Sequence, residues 1–267
     1  MNITPVVKQL LIINFIFFIG SQIPNTNAYE LFSMHYPESI KFKIWQPLTS
    51  MFMHADIMHI FFNMFALFTF GSTLEQFWGG KKFLFFYISC GLGAELISIG
   101  IDYLQIKYLM DSLSSLNFTK ADLTILLNSD LRNVFDDSGI LMDSTVKTIA
   151  EKYQFNQEQF NIIFQANAVT RTMSLGASGA IYGLLVAFAF LFPNSQMFMM
   201  LIPIPIKAKY YVIGILAVDL FLGFGGHSLF GRGSTGIGHF AHLGGALTGY
   251  IMMWYWKRNQ FNHNRWN

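Results

Sequence analysis

The chain is 267 residues long, 53% hydrophobic and only 12% charged, with a formal net charge of +2. That balance is too apolar for a soluble domain with an ordinary polar surface and makes a membrane protein the default reading. The charge is too small, and the basic residues too scattered in pairs, for nucleic acid to be a partner, while the single cysteine, Cys90, cannot form an internal disulfide.

In chain order, the first apolar stretch runs from about Val6 to Ile23, with only Lys8 near its start. At 1.5 Å per residue it spans a hydrocarbon core of about 30 Å. It is too long for a signal-peptide core and no small-residue cleavage site follows it, so it reads as a retained first span. Five further spans are predicted: about Ile57 to Phe70, Phe83 to Ile101, Met173 to Phe192, Tyr210 to Phe224 and His239 to Trp256. Six spans place both termini on one side, and Lys8, Lys81, Lys82, Lys207, Lys209, Lys257, Arg258 and Arg265 fall on that same side. By the positive-inside rule it is the cytoplasmic side, with Lys41 and Lys43 in the first outer loop as the opposing signal.

The connections 24–56, 102–172 and 225–238 then lie outside. The middle one holds nine acidic against six basic residues. Ala121 to Leu131 and Ser144 to Phe155 within it have the pattern of short surface helices, so 102–172 reads as an inserted, partly helical outer lobe. The last connection and its edges carry Gly223, Gly225, Gly226, Gly231, Gly233, Gly236 and Gly238, the composition of a mobile strap.

Polar residues at membrane depth are costly and therefore point to function. The second span has His54 just before it and His59 and Asn63 within it, the fourth carries Ser178, and the sixth carries His239 and His242. These spans all run from outside to inside, and each places its polar group about one turn from its outer end; about five residues at 1.5 Å each put it about 8 Å below the outer boundary. Gly179 with Gly183, and Gly245 with Gly249, give the fourth and sixth spans small-residue faces on which backbones can approach. A serine hydroxyl needs a base within hydrogen-bond reach, and His242 is the imidazole matched to Ser178 in depth and packing. Tyr182, four residues after Ser178, shares its helical face and is placed to hold the imidazole ring. His59 and Asn63, also four apart, face the bundle and, with the Ser178 N–H, are candidates for an oxyanion hole. Glu75, Glu95 and Asp219 are read as structural, His54 as bonded to loop backbone, and His239 as marking the water interface.

The motifs GASGAIYG (Gly176 to Gly183), AHLGGALTG (Ala241 to Gly249) and HIFFN (His59 to Asn63) resemble the signatures of rhomboid intramembrane proteases. Phe70 to Tyr87 is similar to that family's junction between second and third spans, and IPIPIKAKY to its fourth connection. The resemblance implies an all-α, six-transmembrane-helix rhomboid-like bundle over 1–267, with 102–172 as an outer-side insertion between helices 3 and 4. It implies a Ser178 and His242 dyad without an acidic third member. It also implies His59, Asn63 and the Ser178 amide at the oxyanion, and support from Tyr182, Gly176 and Gly179. The substrates implied are transmembrane proteins cut within or near their spanning segment in the lipid bilayer. No metal or organic cofactor is implied, and the location expected is the plasma (inner) membrane of a bacterium. In two places the chain departs from the family pattern. Gln46 follows Trp45 where many members have arginine, and the 102–172 connection is long.

Two rival functions are a non-catalytic rhomboid-like chaperone, which typically loses the serine or the histidine, and a haem-binding electron carrier ligated by His59 and His242. The haem reading leaves Ser178 and its glycines without a purpose. A zinc protease is a weaker reading still, because no HExxH motif occurs in the chain.

Overall fold

The computed structural model describes residues 2–131, 143–199, 202–225 and 238–263. Most of the glycine-rich connection read as a strap (226–237), and Arg265, lie outside the described residues. The described helices are, in chain order, α1 (Pro5–Ser21), α2 (Ala28–Phe32), α3 (Gln46–Thr49), α4 (Ile57–Ala66), α5 (Ser72–Trp78), α6 (Gly80–Asp111), α7 (Lys120–Asn128), α8 (Ser144–Tyr153), α9 (Gln157–Arg171), α10 (Ser178–Leu191), α11 (Ala208–Gly225) and α12 (His239–His263). They divide between two compact units, one of residues 1–34, 44–98 and 174–267 and the other of 35–43 and 99–173.

The larger unit holds a helix at each of the six segments read as spans, with shifted ends. The second reaches Trp78, because the π turn Leu67–Gly71 joins α4 to α5 without a break. It ends where Gly79 takes a φ of +79°, a left-handed conformation that glycine adopts without strain. Among the described residues, Ile57–Trp78 and Gly80–Asp111 are long and apolar enough to cross a membrane, while Pro5–Ser21 and Ser178–Leu191 are shorter apolar helices. Side chains such as Ile16, Phe65, Phe85, Phe221 and Trp254 are exposed on these helices, the outward apolar surface that a bilayer accepts and water does not. The core is built from Phe83, Phe86, Tyr87, Met51, Leu74 and Leu184, all fully buried.

Glu75, read as structural, has a defined job. Its carboxylate accepts from the N–H groups of Val6 (3.0 Å) and Val7 (2.9 Å) and from the Thr4 hydroxyl. Those amides belong to the first turn of α1 and have no partner inside their own helix, so a buried anion there satisfies them and meets the positive end of the helix dipole.

The smaller unit has its own core of Leu113, Leu126, Leu131, Val146, Ile149 and Ile163. Its helices start at polar caps. Thr119 caps α7, Asp143 caps α8, and Asn156 with Gln159 forms a capping box on α9. On its surface, Asp122 accepts from Lys152 Nζ (2.6 Å), Thr119 Oγ1 (2.7 Å) and the Tyr153 hydroxyl (2.7 Å). Donation from Lys152, then Thr119 and Tyr153, holds the Asp122 carboxyl down at about 2.

Candidate active site

Local backbone decides where Ser178 sits. Gly176 has a φ of +120°, a region closed to L side chains, and a Cβ there would come within 2.8 Å of His59 Nε2. A helix cannot pass through that residue, so α10 begins at Ser178 itself with Ala177 as its N-cap. The fourth span was read from Met173 and the serine placed one turn inside it. Instead the serine is the first helical residue, where its own N–H is among the amides a helix leaves unpaired. The preceding loop is held from behind. Gly176 N–H donates to the Ser50 carbonyl at 2.9 Å, and Oε1 of buried Glu95 accepts from Ser50 Oγ (2.9 Å) and Ser174 Oγ (3.3 Å).

Small residues let α10 and α12 touch at their backbones. A Cβ on Gly245 would lie 1.9 Å from the Gly179 carbonyl oxygen, and one on Gly249 would lie 2.8 Å from Gly183 Cα. Gly179 also faces α6, where its Cβ would meet that of Ala94 at 2.4 Å. This close approach brings the fourth residue of α12, His242, to Ser178, with Nε2 2.9 Å from Oγ. The Tyr182 ring stacks on the imidazole, with centroids 4.1 Å apart and planes 11° from parallel.

Asp219 on α11 is the residue that the sequence reading placed among structural groups. Its Oδ1 lies 3.2 Å from His242 Nδ1 and 2.6 Å from His239 Nδ1. His239, read as an interfacial residue, is 3% exposed. The signal was available: an acid within an apolar helix is a functional hypothesis by default, but nothing in the sequence says which histidine it faces. These three residues are the described trio of metal-competent atoms, all within 4.8 Å of one another. A separation of 2.6 Å is hydrogen-bond geometry, well short of the roughly 3.3 Å between ligand atoms in a tetrahedral zinc site with bonds of about 2.0–2.1 Å.

On α4, the Asp56 side chain caps the helix by accepting from His59 N–H at 2.8 Å. Ala55 N–H donates to His59 Nδ1 at 3.4 Å. That bond places the ring proton on Nε2, the atom turned toward Gly176 and the loop before the serine. Asn63, one turn further on, is buried on the same helix. His54 is fully buried, with Nδ1 3.3 Å from the Phe52 carbonyl and its ring edge-on to His59 at 5.0 Å. Gln46 occupies the position of the arginine seen in many members and still ties down the first loop: its Nε2 donates to the Glu30 carbonyl at 3.1 Å, beside the Trp45 indole donating to Leu31 at 3.0 Å.

An apolar helical bundle whose buried polar groups converge on a serine and an imidazole defines a membrane protein with a hydrolase-type site. The Rhomboid domain profile matches residues 41–109 and 155–259. The chain belongs to the rhomboid family of membrane proteases. The residues left unmatched between those two blocks, 110–154, lie in the smaller unit. Among curated relatives, it is 31% identical to Rhomboid-like protease 1 of Toxoplasma gondii over 36% of this chain and 36% of that protein. It is 26% identical to Rhomboid protease AarA of Providencia stuartii over 78% of this chain and 54% of that protein. With Rhomboid protein 1, mitochondrial, of Saccharomyces cerevisiae it shares 24% identity over 77% of this chain and 40% of that protein. The chain thus spans about half or less of the length of these relatives.

Proposed function

We propose that this chain is an intramembrane serine endopeptidase that cleaves transmembrane protein substrates within or near their spanning segment. The observation that carries the reading is the 2.9 Å contact between Ser178 Oγ and His242 Nε2. In this mechanism His242 Nε2 takes the hydroxyl proton as Ser178 Oγ attacks the scissile carbonyl, then returns it to the leaving amine. The same imidazole deprotonates the water that releases the acyl-enzyme. The oxyanion formed at each step is met by the Ser178 N–H at the start of α10, the Asn63 amide and the His59 Nε2–H, donors preorganised in a water-poor site. Tyr182 holds the plane of the base, while Gly176 and Gly179 allow the loop and helix to reach this geometry.

Six helices cross the bilayer in this proposal. Both termini are cytoplasmic, the site opens to the outer side, and 102–172 is an outer-side insertion between the third and fourth spans. The bilayer is the plasma (inner) membrane of a bacterium. Support comes from the helix at each apolar segment and from the basic residues that cluster on one set of connections. The haem alternative is disfavoured by His242, both of whose ring nitrogens are engaged, one with Ser178 and one with Asp219.

The test uses detergent-purified full chain, a fluorophosphonate probe and a transmembrane model substrate. The expected outcome is labelling at Ser178 together with cleavage, both lost in Ser178→Ala and His242→Ala while the thermal melt is kept. Labelling or cleavage at the unmodified level in either folded variant overturns the proposal.

A further inference from the structure

The hydrogen bonds do not stop at the serine and its base. On the far side of the imidazole, Asp219 Oδ1 stands 3.2 Å from His242 Nδ1, and the same oxygen stands 2.6 Å from His239 Nδ1. Asp219 is 5% exposed, so its charge is tolerated there only because donors surround it. A carboxylate is an acceptor and offers no proton of its own. Facing it, His242 must carry its ring proton on Nδ1, which leaves the Nε2 lone pair for Ser178, the tautomer a general base requires.

We infer that Asp219 is a positioning residue that makes the dyad a buried triad, fixing the tautomer of His242 and stabilising its imidazolium, and that His239 tempers it by sharing the same carboxylate oxygen. This rests on the protease reading. The sharing has a physical consequence. The shorter bond, to His239, draws charge from Oδ1 and leaves the contact to His242 the longer of the two. Removing Asp219 should weaken the base, and removing His239 should strengthen it. Among the described residues, the ionisable and polar groups around His242 are Asp219 on α11, Tyr182 and Ser178 on α10, His239 on α12 and His59 on α4. Of these, only Asp219 lies within hydrogen-bond reach of Nδ1.

The experiment follows the pH dependence of fluorophosphonate labelling and of kcat for a transmembrane model peptide, on the full chain and on Asp219→Asn and His239→Leu. In Asp219→Asn, kcat should fall by up to about 10⁴ fold, the loss seen when the acid of a triad loses its charge, and by less to the extent that the Tyr182 stack still holds the ring. The acidic limb of the profile should also move to lower pH, while KM changes little. In His239→Leu the limb should move to higher pH. A side chain that merely held helices together would lower yield or melting temperature without moving the limb in opposite directions. Limbs that coincide with that of the unmodified chain in either folded variant overturn the inference, as does loss of folding in both, which would make the carboxylate a structural tie. If the unmodified chain itself is neither labelled nor active, the protease reading fails; if it is labelled and only the variants behave as the original, the triad alone fails.

Discussion

The contact between Ser178 and His242 depends on a glycine seam, which makes Gly245→Ala a sharp perturbation. Its added Cβ would lie 1.9 Å from the backbone oxygen of Gly179, whereas ordinary contact begins at 3.4 Å. The clash is with backbone, so no side-chain rotamer relieves it, and α12 must withdraw from α10 by about 1.5 Å. His242 sits on α12 three residues earlier, and its 2.9 Å bond to Ser178 would lengthen past hydrogen-bond range if it shared even half of that movement. Overpacking of this kind costs about 1–3 kcal/mol. The loss of nucleophile activation should lower the labelling rate by a further factor on the order of 100. Gly214→Ala on α11 is the control, because a Cβ there meets nothing within 4 Å; it should be neutral or slightly stabilising, by up to about 1 kcal/mol. The assay pairs a thermal melt with the rate of fluorophosphonate labelling in detergent. A Gly245→Ala protein that melts and labels like the original would show that the seam does not set the geometry of the site.

Two further outcomes are expected. Asn63→Ala should lower kcat about 10 to 1,000 fold with a smaller effect on KM, the range for one oxyanion donor; steady-state kinetics on a model substrate check this, and an unchanged kcat would leave Asn63 as a helix-packing amide. In the smaller unit, Asp122 is held down at about 2, chiefly by Lys152, below the ordinary carboxylate value of about 3.9. A depressed folded-state pKa contributes stability that is present above the ordinary value and lost as pH falls toward 2. Hydrogen exchange of α7 and α8 should therefore loosen between about pH 4 and 2, and Asp122→Asn should remove that part of the dependence. Identical profiles for the two proteins would count against the cluster.

Much of this protein is legible in one dimension because lipid imposes simple rules on sequence. Long apolar runs must be helical to satisfy their backbone, and a helix indeed stands at each of the six segments so read. Polar residues inside such runs are expensive enough to stand out, which is how Ser178, His242, His59 and Asn63 were singled out by number. Periodicity and small-residue spacing placed Tyr182 beside Ser178 and marked the faces on which helices meet. What these signals lack is any measure of distance between elements far apart in the chain. Asp219 lies 41 residues from Ser178 and 23 from His242, and only the packing of α11 against α12 brings its carboxylate to an imidazole for which the sequence offers one hydrogen-bond partner, Ser178. The start of α10 is misplaced for a similar reason: Gly176 takes a positive φ beside the His59 ring, where a Cβ would clash, and is tied to the Ser50 carbonyl, none of which apolar patterning records. Apolar patterning and the cost of burying charge thus determined which residues could act, while backbone contact between helices decided which of them hydrogen-bond to one another.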